Sequence, residues 1–475
     1  MTYRPELHLA PEAGVLEAPA GVLLDGSTWH LFYQYRPAVN EPTRWGHSYA
    51  EDTPFDWLEC DDVLAPAGGE IGLRAGAVAQ VDANVNLYYT SITSTSSSIR
   101  LAKYSDYHDT HGVSDDPLTV DPLVMRHGEV ISQAEGFSRF RSPCVVPDWE
   151  TADRDDHAGW LMLALSGSTE NPTPVLLRSP DGDSWTFEGA LTFNGDTGFA
   201  TSTEDYPPVV SPRIIRLRDE VDGEVYDILF FTIEAESREI AGYLVGTLHG
   251  TQFDVVTGFR RLDFGHDFTR PRNTNVTEGT AHEGEGYTEA CILGLLNGRG
   301  RADDPSAHHS WHAEGWANAL SLPRHLTLQG GVLYQTPPRG LPDAVSESDR
   351  ARLWTGMLEV PEGSGVTVTL LDGEGQAAAT ITHAGSQLQI DRSPSRAFEH
   401  TYADDAPATA PLADGDEDSL TIVIDGSALE VYADSGLVTM ASRMYIEGGC
   451  SGFSVETSGE AAVLNSFERA GSRLG

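Results

Sequence analysis

Three stretches of this chain bring together side chains able to move protons or hold a polar ligand. The first is Gly14-Val15-Leu16-Glu17-Ala18-Pro19-Ala20-Gly21, in which Glu17 is the acid. The second, Arg141-Ser142-Pro143, sets a cation beside a hydroxyl. The third, Thr203-Glu204-Asp205-Tyr206-Pro207-Pro208, carries two adjacent acids. Glu204 or Asp205 serves as a proton donor if burial raises its pKa. Adjacent strand residues face opposite ways, so only one of the two points to a given side. The plain alternative is a pair of loop acids in a very acidic protein. Gln34 adds an amide. Trp45 adds an aromatic face that either stacks on a ligand or fills the core.

The elements that position these residues are strands. The chain has 475 residues, too many for one ordinary core, with 40% hydrophobic and 9% aromatic content. Its 72 acidic residues outnumber 30 basic ones, for a net charge of −42. Nucleic acid and anionic membranes would be repelled, so neither is expected as a partner. Lys103 is the one lysine. A composition bias accounts for this balance, as does adaptation to salt, where screening relieves self-repulsion. The segment Met1–Glu6 lacks a basic region followed by an apolar run, and no apolar run of about 18 residues occurs. A cytoplasmic location is expected. Cys60, Cys144, Cys291 and Cys450 are far apart without CxxC spacing, so free thiols are expected, and no metal or cofactor.

Short strand-like runs punctuated by Gly, Pro, Asp and Ser fill the chain, and a repeat of about 60–65 residues emerges. Its units begin near Ala18, Ala75, Arg141, Tyr206 and Arg270. Each opens on a strand of small residues or proline. An aromatic-rich strand follows: Trp29–Tyr35, Val85–Thr90, Trp160–Ser166 and Tyr226–Thr232. A further strand and an edge strand complete the unit, and the fifth unit is less regular. Four strands per unit repeated five times predicts an all-β, five-bladed β-propeller. Its innermost strands line a channel, so the residues opening units one, three and four converge on one funnel. Past residue 335 the texture changes. A Pro-rich linker over 336–345 leads to alternating strands over 346–475, read as a C-terminal β-sandwich.

Longer runs carry a resemblance. Trp29-His30-Leu31-Phe32-Tyr33-Gln34-Tyr35, Trp45-Gly46-His47, Leu262–Phe268, Gly315–Arg324 and Ile424–Tyr432 are similar to segments of glycoside hydrolase family 32, the β-fructosidases. The resemblance spans nearly the whole chain and implies the same propeller and sandwich. It also implies three catalytic acids, and here the chain departs from the pattern. The family's nucleophile motif reads Gly-Trp-Met-Asn-Asp-Pro-Asn-Gly, and its Asp falls on Ala18. The Asp of its Arg-Asp-Pro motif, which supports the transition state, falls on Ser142. The acid/base Glu of Glu-Cys-Pro-Asp falls on Asp205, or on Glu204 after a one-residue shift.

Retaining glycosidases need two carboxyls about 5–5.5 Å apart. Ala18 cannot attack a sugar, and Ser142 brings no charge to balance an oxocarbenium ion. The expectation is therefore a carbohydrate-binding relative that is silent or strongly impaired. It would hold a small sugar, neutral, phosphorylated or acidic, through Arg141, Gln34 and Trp45. One alternative is an active glycosidase or glycosyltransferase with relocated carboxylates at Glu17, Asp205 or Glu204. The other is a scaffold protein. The oligomeric state stays open.

Overall fold

The computed structural model describes residues 2–105, 107, 114, 116, 118–149, 158–199, 208–235, 238–277, 287–297, 305–395, 406–413 and 418–471. Nearly every element is a strand, and no described helix is long and apolar enough to cross a membrane.

The repeat read from the sequence corresponds to antiparallel sheets formed in chain order. Gly14–Asp25, Thr28–Arg36, Arg44–Glu51 and Leu58–Glu59 make the first. Gly72–Val81 through Val124–Ile131 make the second, and Arg141–Pro147 through Thr186–Ala190 the third. The fourth runs from Val209–Arg218 to Gln252–Arg261, with Thr192–Asn194 added in parallel to its edge. Phe268–Val276, Ala290–Leu296, Arg324–Gln329 and Val332–Thr336 make the last. The opening strand of each sheet contacts the opening strand of the next, and Phe268–Val276 returns to pair in parallel with Gly14–Asp25 at Val22↔Thr274. The last sheet is thereby hydrogen-bonded to the first.

These strands form where they do because apolar residues recur on both faces. Leu161, Leu163 and Leu165 enter one core cluster, while Met162 and Ala164 enter another. A strand sandwiched between neighbouring sheets buries both faces, so its sequence reads as a continuous apolar run. Close approach needs glycine at Gly76, where a Cβ would lie 1.8 Å from the Tyr88 carbonyl oxygen.

The C-terminal part is two five-stranded sheets packed on one core. Val366, Val368 and Leu370 from one sheet meet Leu420, Ile422 and Ile424 from the other. Thr367 and Thr369 alternate with them on the first strand, while Val423 on the second is buried on the other face against Leu341 and Val345. Each such side chain stabilises the domain by roughly 1.5–3 kcal/mol relative to exposure. Between the two parts lies the short helix Leu341–Glu347, which buries Leu341 and Val345.

The joint between the parts is built of charge. Glu430 Oε1 accepts from the Leu322 N–H at 2.6 Å and Oε2 from Arg324 Nε at 2.9 Å. His8 spans Asp425, 2.9 Å from Nδ1, and Glu430, 3.1 Å from Nε2. Burial alone would lower the His8 pKa, but its bonds to both carboxylates raise it to about 9. Burial acts to raise Glu430; Arg324 and His8 outweigh it and hold the carboxyl down at about 2.

Candidate functional site

Each opening strand carries a local break in pairing at the same level. The breaks fall between Pro19 and Gly21, Arg74 and Ala77, Arg141 and Cys144, Val210 and Arg213, and Thr269 and Arg272. Proline suits such a place, because a bulged residue needs no ladder N–H. The residues before three of these prolines have positive φ: Ser142 at 55°, Ser211 at 51° and Arg270 at 51°. Side chains rarely adopt this conformation, and it persists where neighbours over-determine it. The Ser142 N–H donates to Thr90 Oγ1 at 2.9 Å, and the Arg270 N–H to Thr232 Oγ1 at 3.2 Å. Both threonines are fully buried. The scaffold thus presents the residue before each proline in a fixed attitude at one end of the sheet array.

Among the described residues, this level holds little free acid. Ala18 is 2% exposed and packs in one core cluster with Trp45 and Ala75. Trp45 has no exposed surface, and its indole N–H donates to the Arg74 carbonyl at 3.1 Å. Its ring therefore lies in the packing between sheets and not on an open face. Glu17 is ion-paired to Arg36, with Oε1 2.5 Å from Nε, and also accepts from Gln34 Nε2. Gln34 Oε1 takes the Ala75 N–H at 2.6 Å, so this amide ties the first sheet to the second. Glu239 is held by Arg270 Nη2 at 2.7 Å and by the Thr269 hydroxyl at 2.6 Å. Glu204 and Asp205 lie outside the described residues.

Cations gather here instead. Arg141 donates to the carbonyls of Arg139 at 3.2 Å, Gly167 at 2.5 Å and Ser168 at 2.8 Å. It does not pair with Glu17. Burial, with repulsion from Arg74 and Arg139, pushes the Arg141 pKa down to about 10. Arg74 and Arg139 are both exposed.

One group among the described residues brings metal-ligand atoms together: His383, Asp418 and Asp434 in the sandwich. His383 Nδ1 accepts the Gly385 N–H at 3.3 Å, so Nε2 carries the proton and donates to Asp434 at 3.1 Å. A protonated ring nitrogen does not ligate, and the arrangement reads as a hydrogen-bond clasp.

Comparison with known proteins fits these positions into a family. The N-terminal domain model of glycosyl hydrolases family 32 matches residues 8–337, and the C-terminal model of that family matches 361–469. The chain belongs to glycosyl hydrolases family 32. A sucrose-6-phosphate hydrolase of Escherichia coli is 24% identical over 98% of this chain and 94% of its own length. Raffinose invertase of Escherichia coli is 24% identical over the same shares. Among solved structures, the sucrose-6-phosphate hydrolase of Lactobacillus gasseri aligns with a TM-score of 0.75 at 17% identity, covering 98% of this chain and 92% of that one. The family 32 β-fructofuranosidase of Bombyx mori gives 0.73 at 20%, covering 98% and 94%. The propeller-and-sandwich fold is shared with these family 32 structures.

The sequence reading passed over the family motif's second possible place. Val210-Ser211-Pro212-Arg213 has the spacing of Glu-Cys-Pro-Asp, and it lies inside an opening strand with its Ser-Pro at the level of Ser142-Pro143. The signal was present in the repeated Ser-Pro pair. The two consecutive acids at Glu204 and Asp205 make the stronger local match to that motif.

Proposed function

We propose that this family 32 protein binds an anionic sugar at the mouth of a five-bladed propeller and does not hydrolyse it. The organisation adopted is a propeller over 1–335, a linker over 336–345 and a sandwich over 346–475. The observation that carries the functional reading is the set of residues before the opening-strand prolines: Ala18, Ser142, Ser211 and Arg270. None is an acid. Reading the acid/base motif onto Val210-Ser211-Pro212-Arg213 puts valine where the family has its Glu, so the third catalytic carboxyl is absent as well. Glu17 is in place but bound to Arg36 and Gln34. A nucleophile so paired would first have to break an ion pair.

The ligand class follows from Arg74, Arg139 and Arg141, close enough to repel one another in a chain of net charge −42. A phosphate or carboxylate on the sugar would relieve that repulsion. Arg141 already has carbonyl partners, so direct contact would need exchange of one of them, whereas Arg139 stands exposed. The relatives' names make sucrose 6-phosphate the first ligand to test. Titration calorimetry of sucrose, sucrose 6-phosphate and glucuronate against the wild type and Arg139→Ala tests the reading. At least about tenfold tighter binding of the charged sugars is expected, as one charge-assisted contact of about 1.5–3 kcal/mol provides. No binding at millimolar concentration would favour the scaffold alternative. Steady release of fructose that Glu17→Gln abolishes would favour a relocated nucleophile.

A further inference from the structure

One level below the prolines, a small cavity opens between the five sheets. Every opening strand contributes to it, through Gly21, Gly76, Cys144, Arg213 and Arg272 among others. It leaves about 10 Å³ for the centre of a water-sized body. That admits one small particle and excludes a sugar or an oxyanion such as phosphate.

Two guanidinium groups line this cavity. Arg213 is 1% exposed and Arg272 3%. Arg213 donates to the carbonyl oxygens of Gly76 at 3.2 Å, Pro143 at 3.1 Å, Ser142 at 3.3 Å and Pro212 at 2.5 Å, and the Cys144 thiol is a further neighbour. Arg272 reaches the carbonyls of Pro271 at 3.2 Å and Arg270 at 3.5 Å. The Nε atoms of both are buried without a hydrogen-bond partner. Among the described residues no carboxylate lines the cavity or pairs with either arginine. Burial pushes Arg213 down to about 10, and burial with the charge of Arg213 also holds Arg272 well below the usual guanidinium range. Two adjacent buried cations are costly unless an opposite charge joins them. Carbonyl dipoles ease each cation singly but do nothing for the repulsion between them.

We infer that the cavity between Arg213 and Arg272 is a binding site for a single monatomic anion of the halide class, chloride in most settings. The ion would accept from both Nε–H groups and neutralise one of the two charges. It would hold the opening strands of the fourth and fifth sheets together from inside the ring. The inference is independent of what the mouth of the propeller binds.

Crystals of the wild-type protein grown with bromide in place of chloride test this by anomalous scattering. A bromide peak within hydrogen-bonding distance of both guanidinium groups is expected. Water density without an anomalous signal there would overturn the inference. In solution, chloride replacing gluconate at constant ionic strength should raise Tm saturably by about 2–4 °C. Arg272→Met should abolish that rise. An unsaturable rise of equal size in wild type and variant would place the effect on the acidic surface and overturn the site. The bromide experiment needs no variant, so it decides the matter if Arg272→Met fails to fold.

Discussion

Arg324 and Arg213 are both fully buried, and their surroundings are opposite. Arg324 sits in the joint between propeller and sandwich, with Nη2 2.9 Å from Asp263 and 2.8 Å from Glu430. Its guanidinium lies 4.2 Å from the Phe268 ring centroid. Burial opposes the charge of Arg324, but Glu430 and Asp263 overcome it and raise its pKa. Arg213, on the inner face of the sheet array, meets carbonyl oxygens and a second arginine, and its pKa falls. The chain has 72 acids, so a shortage of carboxylates does not explain the difference. Among the described residues, acids join the two domains, whereas Ala18, Ser142, Ser211 and Arg270 precede the opening-strand prolines.

Substitutions at the two arginine environments should separate them. Glu430→Gln removes the carboxylate shared by Arg324 and His8 and leaves buried charge behind. A loss of about 3–5 kcal/mol in denaturant-induced unfolding is expected. Arg213→Met, in halide-free buffer, removes a cation that has no carboxylate among the described residues. Stability should stay unchanged or rise by about 1–4 kcal/mol. Equal losses in the two variants would break the comparison.

Acidity sharpens it further. His8 has its pKa raised from 6.5 to about 9, so its contribution is complete below pH 6.5 and is lost as pH rises toward 9. Glu430 has its pKa lowered from 4.5 to about 2, so its contribution is complete above pH 4.5 and is lost as pH falls toward 2. Unfolding followed across pH should therefore show the joint strongest between about 4.5 and 6.5. His8→Gln should flatten the alkaline side and shrink the acid side without abolishing it, because Arg324 still holds Glu430 down.

Much of this architecture was legible in the residues. The expected unit starts at Ala75, Arg141 and Arg270 fall within or at the start of strands that begin at Gly72, Arg141 and Phe268. Periodicity of two and regular turn residues carry such information locally. The run Ile424–Tyr432, which carries part of the family likeness, supplies two carboxylates of the joint, Asp425 and Glu430. Their partners His8 and Arg324 are over 100 residues distant, so no local pattern announces the pairing. The site was harder to read. Trp45 reads equally as a sugar platform or as core until its burial is known. Arg141 reads as a free cation until the carbonyls of Gly167 and Ser168 are seen around it. Arg213 and Arg272 drew no notice, because only the ring of strands brings them to one cavity.

On the proposed function, this family 32 fold lacks the carboxylates of a fructosidase. Fructose release from sucrose, sucrose 6-phosphate and inulin by the purified protein tests it, with Ala18→Asp measured alongside. The account predicts wild-type turnover at least about 10³-fold below that of an acid-bearing relative, since removing a nucleophile costs that much or more. It predicts less than about tenfold recovery in Ala18→Asp, whose new carboxylate would enter a position 2% exposed beside Trp45 while Ser142 still brings no charge. Wild-type turnover within about tenfold of the relative, or full activity from the single reversion, would contradict it.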